Sequence, residues 1–280
     1  MRLIYFVRGA VVALATITCC LSLPTHSEVA TNSIVEHAPP KESFHIYLLM
    51  GQSNMVGRDT RGLPSNENNP RILLLDTNGQ WVVAKDPLHP KIGSIDSGIG
   101  PGMSFAEQMI KADSNVTIGL VPCAVGGTPL RRWVKGGDLY ENAISLAKVA
   151  AKSGVLKGVL WHQGESDSDQ KENAESYQAR LTQMFQDLRT DLNTPDLPVV
   201  VGQLGMFLES EKHPYVETVR TALRQMPAAL PHAGYADSAG LGDKGDQLHF
   251  NAEAQREFGR RYAEAFQRMQ NGNGSKKAHE

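Results

Sequence analysis

Short apolar segments rich in β-branched residues alternate along the chain with segments of helical periodicity. Four of the apolar segments have the length and composition of strands buried on both faces of a sheet: FHIYLLM at 44–50, VTIGLV at 116–121, VLKGVLW at 155–161 and LPVVVGQL at 197–204. Apolar residues spaced three or four apart predict helices near 105–110, 139–149, 177–188 and 258–269. This alternation predicts one α/β domain over residues 44–270, a doubly wound α/β/α sandwich with a mostly parallel central sheet.

One apolar stretch has a different pattern. Residues 71–84, RILLLDTNGQWVVA, contain two apolar runs separated by Asn78-Gly79. Because Asn-Gly favours the tight turn of a two-stranded hairpin, we expect a small hairpin insertion beside the main sheet.

The two ends of the chain differ in composition from the predicted domain. Arg2 and Arg8 precede an uncharged apolar run, and small residues around Ser27 and Ala30 follow it, which is the layout of a signal peptide over residues 1–27. A retained N-terminal anchor is the alternative interpretation. Residues 28–43 predict a flexible lead-in, and residues 271–280 predict a disordered tail. We therefore expect a secreted or periplasmic protein.

Composition and charge exclude several classes of protein. The 280 residues are 41% hydrophobic and 21% charged, as in ordinary globular proteins. The net charge of −2, with no cluster of Lys and Arg, argues against nucleic-acid binding. Loss of residues 1–27 leaves 26 basic and 30 acidic residues, and nothing then indicates a membrane or an obligate protein partner. Cys123 is then the sole cysteine, so we expect a buried thiol and no internal disulfide.

Polar residues follow three of the predicted strands and precede the last predicted helix. Ser53 comes just after the first strand, Gly126-Gly127 after the second, HQGESD at 162–167 after the third, and Asp246 and His249 just before the helix. Ligands bind beyond the carboxyl ends of the strands in such sheets, so we expect these residues to converge. A serine, a histidine, a carboxylate and amide donors are the groups that nucleophilic acyl transfer requires.

Each residue type has a part in that chemistry. A serine hydroxyl becomes a good nucleophile when an imidazole accepts its proton, and a carboxylate such as Asp246 fixes the tautomer of that imidazole. The tetrahedral oxyanion needs donors that already face it, each worth about 3–4 kcal/mol. The N–H of Ser53, a glycine N–H and the side-chain amide of Gln163 are candidate donors.

Five sequence blocks carry a family resemblance: GQSNM, GPGMSFA, VPCAVGGT, WHQGESD and DQLHF. In this order, over residues 44–266, they resemble the SGNH-hydrolase superfamily, and within it the branch of the family 6 carbohydrate esterases (acetylxylan esterases) and sialate O-acetylesterase domains. The resemblance implies a serine esterase that removes O-acetyl groups from carbohydrates, with no metal and no cofactor. Sialate O-acetyl groups are an alternative substrate to acetylxylan. A lipid or thioester acyl hydrolase and a non-catalytic carbohydrate-binding module are less favoured alternatives.

The same resemblance implies roles for individual residues. Ser53 corresponds to the nucleophile and His249 to the general base. Asp246 and Glu165 are both candidates for the carboxylate that orients the histidine. Gly127 corresponds to the glycine oxyanion donor, with Gly126 as the alternative, and Gln163 replaces the asparagine of other branches.

Further residues are candidates for contact with the substrate. Gln52 and Asn54 flank Ser53, and Arg131 and Trp133 follow the glycine pair. An indole face stacks on sugars and a guanidinium donates to hydroxyls, whereas a solvated arginine beside a packed indole is the alternative interpretation. We expect Trp161, at the end of a buried strand, to be a core residue.

Overall fold

The computed structural model describes residues 35, 39–63, 69–91, 93 and 95–277; the predicted leader over residues 1–27 lies outside them. Seven strands form one sheet: β1 (Phe44–Gly51), β2 (Ile72–Leu75), β3 (Trp81–Val83), β4 (Thr117–Pro122), β5 (Val155–His162), β6 (Val199–Gly202) and β7 (Ala233–Ala236). Their order is β3-β2-β4-β1-β5-β6-β7. All neighbouring strands are parallel except β2 and β3.

Seven α-helices accompany the sheet in the described part of the chain: α1 (Ser53–Val56), α2 (Gly102–Ala112), α3 (Asp138–Ala150), α4 (Lys171–Glu175), α5 (Tyr177–Asp191), α6 (Val216–Ala229) and α7 (Ala252–Lys277). Helix α7 thus extends into the stretch 271–280, for which the sequence predicts disorder. At the other end, the N–H of Val35, in the predicted lead-in, donates to Trp81 O at 3.0 Å. None of the helices among the described residues has the length and apolar character needed to cross a bilayer.

Alternating residues of β1 face two separate hydrophobic cores. Phe44, Ile46, Leu48 and Met50 belong to the core that also contains residues of α3, α5 and α6. Tyr47 and Leu49 belong to the core on the opposite face, which α2 and α7 complete. Side chains of successive strand residues point to opposite faces, so a strand covered on both sides must be apolar throughout. The predicted doubly wound α/β/α architecture is therefore confirmed.

The edges of the sheet refine the sequence prediction. The predicted hairpin forms, but β2 pairs with β4 and so belongs to the main sheet, with β3 as its antiparallel edge.

Trp161 is fully buried, as expected. Cys123 is also buried and unpaired, and burial raises the pKa of its thiol to about 12.

Candidate active site

The backbone turns sharply where β1 ends, at the centre of the sheet. Gly51 has φ of 129°, and a side chain there would overlap the carbonyl group of His162 in the neighbouring strand β5. The N–H of Gln52 donates to that same carbonyl oxygen at 2.8 Å. Glycine tolerates both the positive φ and the close approach. The turn therefore ends the strand and starts α1 at Ser53, between the ends of β4 and β5.

Ser53, His249 and Asp246 form a continuous chain of contacts. Ser53 Oγ lies 3.0 Å from His249 Nε2, and His249 Nδ1 lies 2.8 Å from Asp246 Oδ2. Ser53 is only 6% exposed. These are hydrogen-bonding distances and they follow the order of a serine–histidine–aspartate triad. The structure thus brings Ser53 to two residues that lie almost 200 positions later in the sequence.

The loop that carries His249 holds the Asp246 carboxylate in its ionised form. Burial alone would raise the pKa of Asp246, but hydrogen bonds from the His249 ring, the Lys244 ammonium and the N–H groups of Leu248 and His249 outweigh it. The pKa of the carboxyl is therefore well below its ordinary value. An ionised Asp246 accepts a hydrogen bond from Nδ1 of His249 and so leaves Nε2 free to accept one from Ser53.

A second loop brings the glycine pair beside the serine. The N–H of Val125 donates to Gly51 O at 3.0 Å, which extends the β1–β4 pairing past the strand ends. Gly127 has φ of 69°, a left-handed conformation that favours glycine. Gly126 lies against Arg58 and the Cβ of Ser53. Gly126 is therefore next to the serine, and Gly127 lines the same cavity as Ser53.

These loops line a cavity of about 610 Å³ that is open to solvent. Six of its lining residues are Gln52, Ser53, Arg58, Gly127, Lys244 and His249. A volume of this order fits a small organic ligand. Most of the lining residues are polar or charged, and the apolar side chains among them are Leu248 and Ile95.

Gln163 is placed differently from the prediction. Its side chain is fully buried and does not line the cavity. The amide nitrogen donates to Asp167 Oδ2 at 2.7 Å and to Thr128 O at 3.1 Å, while Tyr177 donates to its carbonyl oxygen at 2.9 Å. The amide is thus bound to Asp167 and Thr128 outside the cavity lining, so the structure does not bring Gln163 to the predicted oxyanion site. Its contacts instead join the glycine loop to the end of β5.

Two predicted sugar contacts after the glycine pair also lie outside the cavity. Trp133 is fully buried: its indole N–H donates to Thr128 Oγ1 at 3.1 Å, and its ring packs edge-on against Trp161. An enclosed indole has no face free for a sugar, so the packed alternative is confirmed. Arg131 is exposed and is not part of the lining.

Asn54 and Glu165 are hydrogen-bonded to each other, and neither is hydrogen-bonded to the imidazole of His249, although Glu165 lines the cavity. Asn54 Nδ2 donates to Glu165 Oε1 at 2.6 Å. Asn54 is 2% exposed and does not line the cavity, so the structure does not bring it to the predicted substrate contact. Of the two carboxylates considered for the histidine, Asp246 is the one within hydrogen-bonding distance of the ring.

The cavity also contains charged residues that the sequence analysis missed. Arg58 is half-buried, its Nη1 donates to Asp96 O at 2.9 Å, and burial lowers the pKa of its guanidinium. No carboxylate pairs with it among the described residues. His213 also lines the cavity, and its Nδ1 lies 2.7 Å from Asp169 Oδ1. Arg58 lies only five positions after Ser53, so its place beyond the strand end was a usable signal, whereas nothing in the local sequence marks His213.

Metal-binding geometry is not found in the described part of the chain, where no three His, Cys, Asp or Glu residues are grouped to hold an ion. His162 and Glu165 do approach each other, with Nε2 3.4 Å from Oε1. Both are buried.

Sequence comparison identifies relatives over almost the whole described domain. Residues 43–268 match the family described as carbohydrate esterase, sialic acid-specific acetylesterase. A probable carbohydrate esterase of Arabidopsis thaliana is 37% identical over 248 residues, which cover 81% of this chain and 91% of the plant protein.

Structural comparison gives the same relationship. The crystal structure of the Arabidopsis thaliana protein aligns with a TM-score of 0.73 and 34% identity, over 81% of this chain and 98% of the plant chain. The structure of NanS aligns with a TM-score of 0.64 and 18% identity, over 84% of this chain and all of NanS. A carbohydrate acetylesterase from Xanthomonas citri aligns with a TM-score of 0.60 and 20% identity, over 81% of this chain and 56% of its own. At these lower identities the last two show a shared fold.

Proposed function

The chain belongs to the sialic acid-specific acetylesterase family of carbohydrate esterases, and we propose that it hydrolyses O-acetyl groups on carbohydrates through an acetyl-Ser53 intermediate. It is thus a carboxylic ester hydrolase that acts on acetylated sugars. The observation that carries the proposed serine mechanism is the 3.0 Å contact between Ser53 Oγ and His249 Nε2 at the wall of an open cavity.

In the first half of the proposed reaction, Ser53 Oγ attacks the acetyl carbonyl carbon while His249 Nε2 takes the hydroxyl proton. The N–H groups of Ser53 and Gly127 are the proposed donors to the oxyanion, with Gly126 as the alternative to Gly127. Preorganised donors of this kind stabilise the charge that develops on the carbonyl oxygen. The imidazolium then protonates the departing sugar oxygen, and the C–O bond of the ester breaks.

In the second half, water attacks the acetyl-Ser53 carbonyl and His249 accepts a proton from it. The tetrahedral intermediate collapses to acetate, and the proton returns to Ser53 Oγ. The ionised Asp246 carboxylate stabilises the imidazolium that forms in each half.

The lining of the cavity supports a sugar ester over a long acyl chain. Acyl-chain sites are predominantly apolar, whereas Gln52, Arg58, Lys244 and Asp169 present polar groups here. Acetylxylan or a related acetylated sugar is the proposed substrate class.

Arg58 favours a second candidate substrate, an O-acetylated acidic sugar such as a sialate. Its guanidinium is half-buried beside Ser53 without a carboxylate partner among the described residues. Guanidinium groups bind carboxylates through paired N–H donors, and a substrate carboxylate would supply that partner.

The test is acetate release by the purified protein from acetylated xylan, acetylated oligosaccharides and O-acetyl sialic acid, measured side by side. A series of p-nitrophenyl esters from acetyl to octanoyl completes it. We expect the highest activity on one of the sugars and a fall in rate with acyl length. Rates that rise toward octanoyl would instead indicate a lipid hydrolase.

Ser53→Ala is expected to abolish turnover of every substrate while the protein stays folded. Ser104→Ala is the matched control, because Ser104 is a buried serine on α2 that does not line the cavity. Turnover retained by Ser53→Ala would exclude the proposed nucleophile. Sugar binding in calorimetry without any hydrolysis would identify a non-catalytic module.

A further inference from the structure

A buried asparagine next to the proposed nucleophile is hydrogen-bonded to the backbone on both sides of the proposed general base, His249. Asn54 follows Ser53 directly, and its side chain contacts the residues before and after His249. Its Nδ2 donates to Leu248 O at 3.1 Å, and its Oδ1 accepts from the N–H of Phe250 at 3.1 Å. The backbone on either side of the imidazole is thus bound to the residue beside the attacking hydroxyl.

Glu165 determines which way the Asn54 amide faces. The Asn54 amide can form both hydrogen bonds to the His249 loop in only one orientation. Rotation by 180° would place its oxygen against Leu248 O and its nitrogen against the N–H of Phe250. Glu165 Oε1 accepts from Asn54 Nδ2 at 2.6 Å, and a carboxylate in that position would repel the amide oxygen. The amide orientation that donates to Glu165 is therefore the same one that forms the hydrogen bonds to Leu248 and Phe250.

The ionised form of Glu165 is stabilised although the side chain is only 2% exposed. Burial opposes ionisation, but the His162 imidazole, whose Nε2 lies 3.4 Å from Oε1, and the amide of Asn54 outweigh it and hold the pKa of Glu165 below its ordinary value. Its Oε2 has no hydrogen-bond partner within the described residues. A buried carboxylate with one free oxygen is expensive to retain, so a role in the site explains its presence better than stability alone.

We propose that Asn54 and Glu165 are a positioning pair, in which Glu165 orients the Asn54 amide and Asn54 holds His249 against Ser53. The inference rests on the proposed serine mechanism. Glu165 then acts on the histidine through Asn54, since Nδ1 of the ring is already bound to Asp246. A displacement of about 1 Å between reacting groups lowers rates on the order of 10²-fold, so the pair affects the chemical step. Asn54 does not line the cavity, so its replacement leaves substrate binding intact.

Variants that exchange the hydrogen-bond donor and acceptor between Asn54 and Glu165 distinguish the positioning role from a merely structural one. Asn54→Asp brings two carboxylates together and still accepts from Phe250, and we expect kcat to fall on the order of 10²-fold with KM unchanged. The double variant Asn54→Asp with Glu165→Gln restores an N–H···O bond with the donor on the opposite side. It is expected to recover at least about tenfold of the lost kcat, an amount that one hydrogen bond of about 1.4 kcal/mol supplies.

Two further measurements complete the experiment. Rates toward p-nitrophenyl acetate are expressed per reactive Ser53, determined by active-site titration, so that unfolded protein is not counted. Tyr140→Phe is the control, since it removes a hydrogen bond from the buried Tyr140 to Asp191 at 2.8 Å, away from the cavity, and we expect no change in kcat. Amide hydrogen exchange at Phe250, measured without substrate, is expected to be faster in Asn54→Ala than in the wild type.

The possible results lead to different conclusions. An inactive wild type would contradict the proposed function, whereas the exchange measurement at Phe250 would still test the pair. The pair is overturned if Asn54→Ala keeps kcat within twofold and leaves Phe250 exchange unchanged. It is also overturned if the double variant is no more active than Asn54→Asp. Should Asn54→Ala fail to fold, the comparison of Asn54→Asp with the double variant decides alone.

Discussion

At the scale of single residues, we expect Arg58 to be the group that distinguishes acidic from neutral sugars. If the substrate carries a carboxylate, Arg58→Gln removes a charge-assisted contact worth about 1.5–3 kcal/mol, so we expect KM to rise at least about tenfold. Neutral acetylated sugars and p-nitrophenyl acetate should show little change. The measurement is kcat and KM for O-acetyl sialic acid and acetylated xylan with both proteins.

Arg131→Gln is the matched control, because Arg131 is an exposed arginine outside the cavity lining. It should leave both substrates unaffected. If Arg58→Gln lowers kcat/KM equally for acidic and neutral sugars, Arg58 supports the structure of the site and does not recognise the substrate carboxylate.

The sequence carried enough information for some site residues and too little for others. Ser53, Asp246 and His249 could be predicted, since each follows a strand or precedes a helix and its backbone position alone brings it to the rim. For Asn54, Gln163 and Trp133 the backbone position was equally suitable, but their side chains turn inward. Their direction is decided by partners far along the chain, such as Glu165, which lies 111 positions after Asn54. The local sequence pattern around a residue contains no information about such distant partners.

At the scale of elements, α7 begins immediately after the loop that carries His249, and a remote carboxylate caps it. Asp59 Oδ2 accepts from the N–H of Ala252, the first residue of α7, at 2.9 Å, and also binds Arg61. Replacing a capping aspartate by alanine destabilises by about 0.5–2 kcal/mol. We expect Asp59→Ala to lower the melting temperature by roughly 1–8 °C at pH 7, measured by calorimetry.

The effect of Asp59→Ala should depend on pH. Hydrogen bonds from Arg61 lower the pKa of the Asp59 carboxyl in the folded protein, with further donation from Ala252 and against the opposing effect of burial. A carboxyl with a lowered folded pKa adds stability above its unfolded value of about 3.9, and this stability is lost as the pH falls toward the folded pKa. The difference from wild type should therefore be full at neutral pH and shrink below about pH 4.

Glu264→Gln on the same helix provides the comparison, because its ion pair with Arg268 is exposed and such pairs contribute little. It should have a melting temperature close to that of the wild type. A difference between Asp59→Ala and wild type that stays constant down to pH 2 would contradict the capping role of the ionised carboxylate.

Most elements of the sheet could be predicted, and the missed ones have a physical reason. Strands β1, β4, β5 and β6 are mostly buried and are therefore predominantly apolar. Strand β7, with the sequence AGYA, has no β-branched residue and pairs at the edge with β6 alone. Helix α6 contains Pro227 near its end, a residue that reads as a helix breaker although the apolar face continues to Met226.

At the scale of the whole molecule, the site depends on the complete sheet. The nucleophile follows β1, the glycine pair follows β4, and Gln163 joins them from the end of β5. Since β1 lies between β4 and β5, these three loops meet only when all three strands are paired. Activity should accordingly be lost together with the sheet during unfolding.

The N-terminal residues, in contrast, are expected to direct export without contributing to the catalytic domain. Contacts group the described residues from Val35 onward into one compact unit. Removal of residues 1–31 should therefore leave kcat/KM and the melting temperature unchanged. Removal of residues 1–38 is the matched comparison, since it also deletes Val35, which packs against the core and binds Trp81. That deletion should lower the melting temperature.

The export prediction is tested with the full chain in a bacterial host. Mass spectrometry of the secreted or periplasmic protein should find a new N-terminus near Ser27 or Ala30, as the small residues there indicate for a signal-peptide cleavage site. A chain that lacks residues 1–27 should remain in the cytoplasm and keep its esterase activity. Recovery of the uncleaved chain in the membrane fraction would establish the retained anchor instead, because an apolar run that is not removed stays in the bilayer.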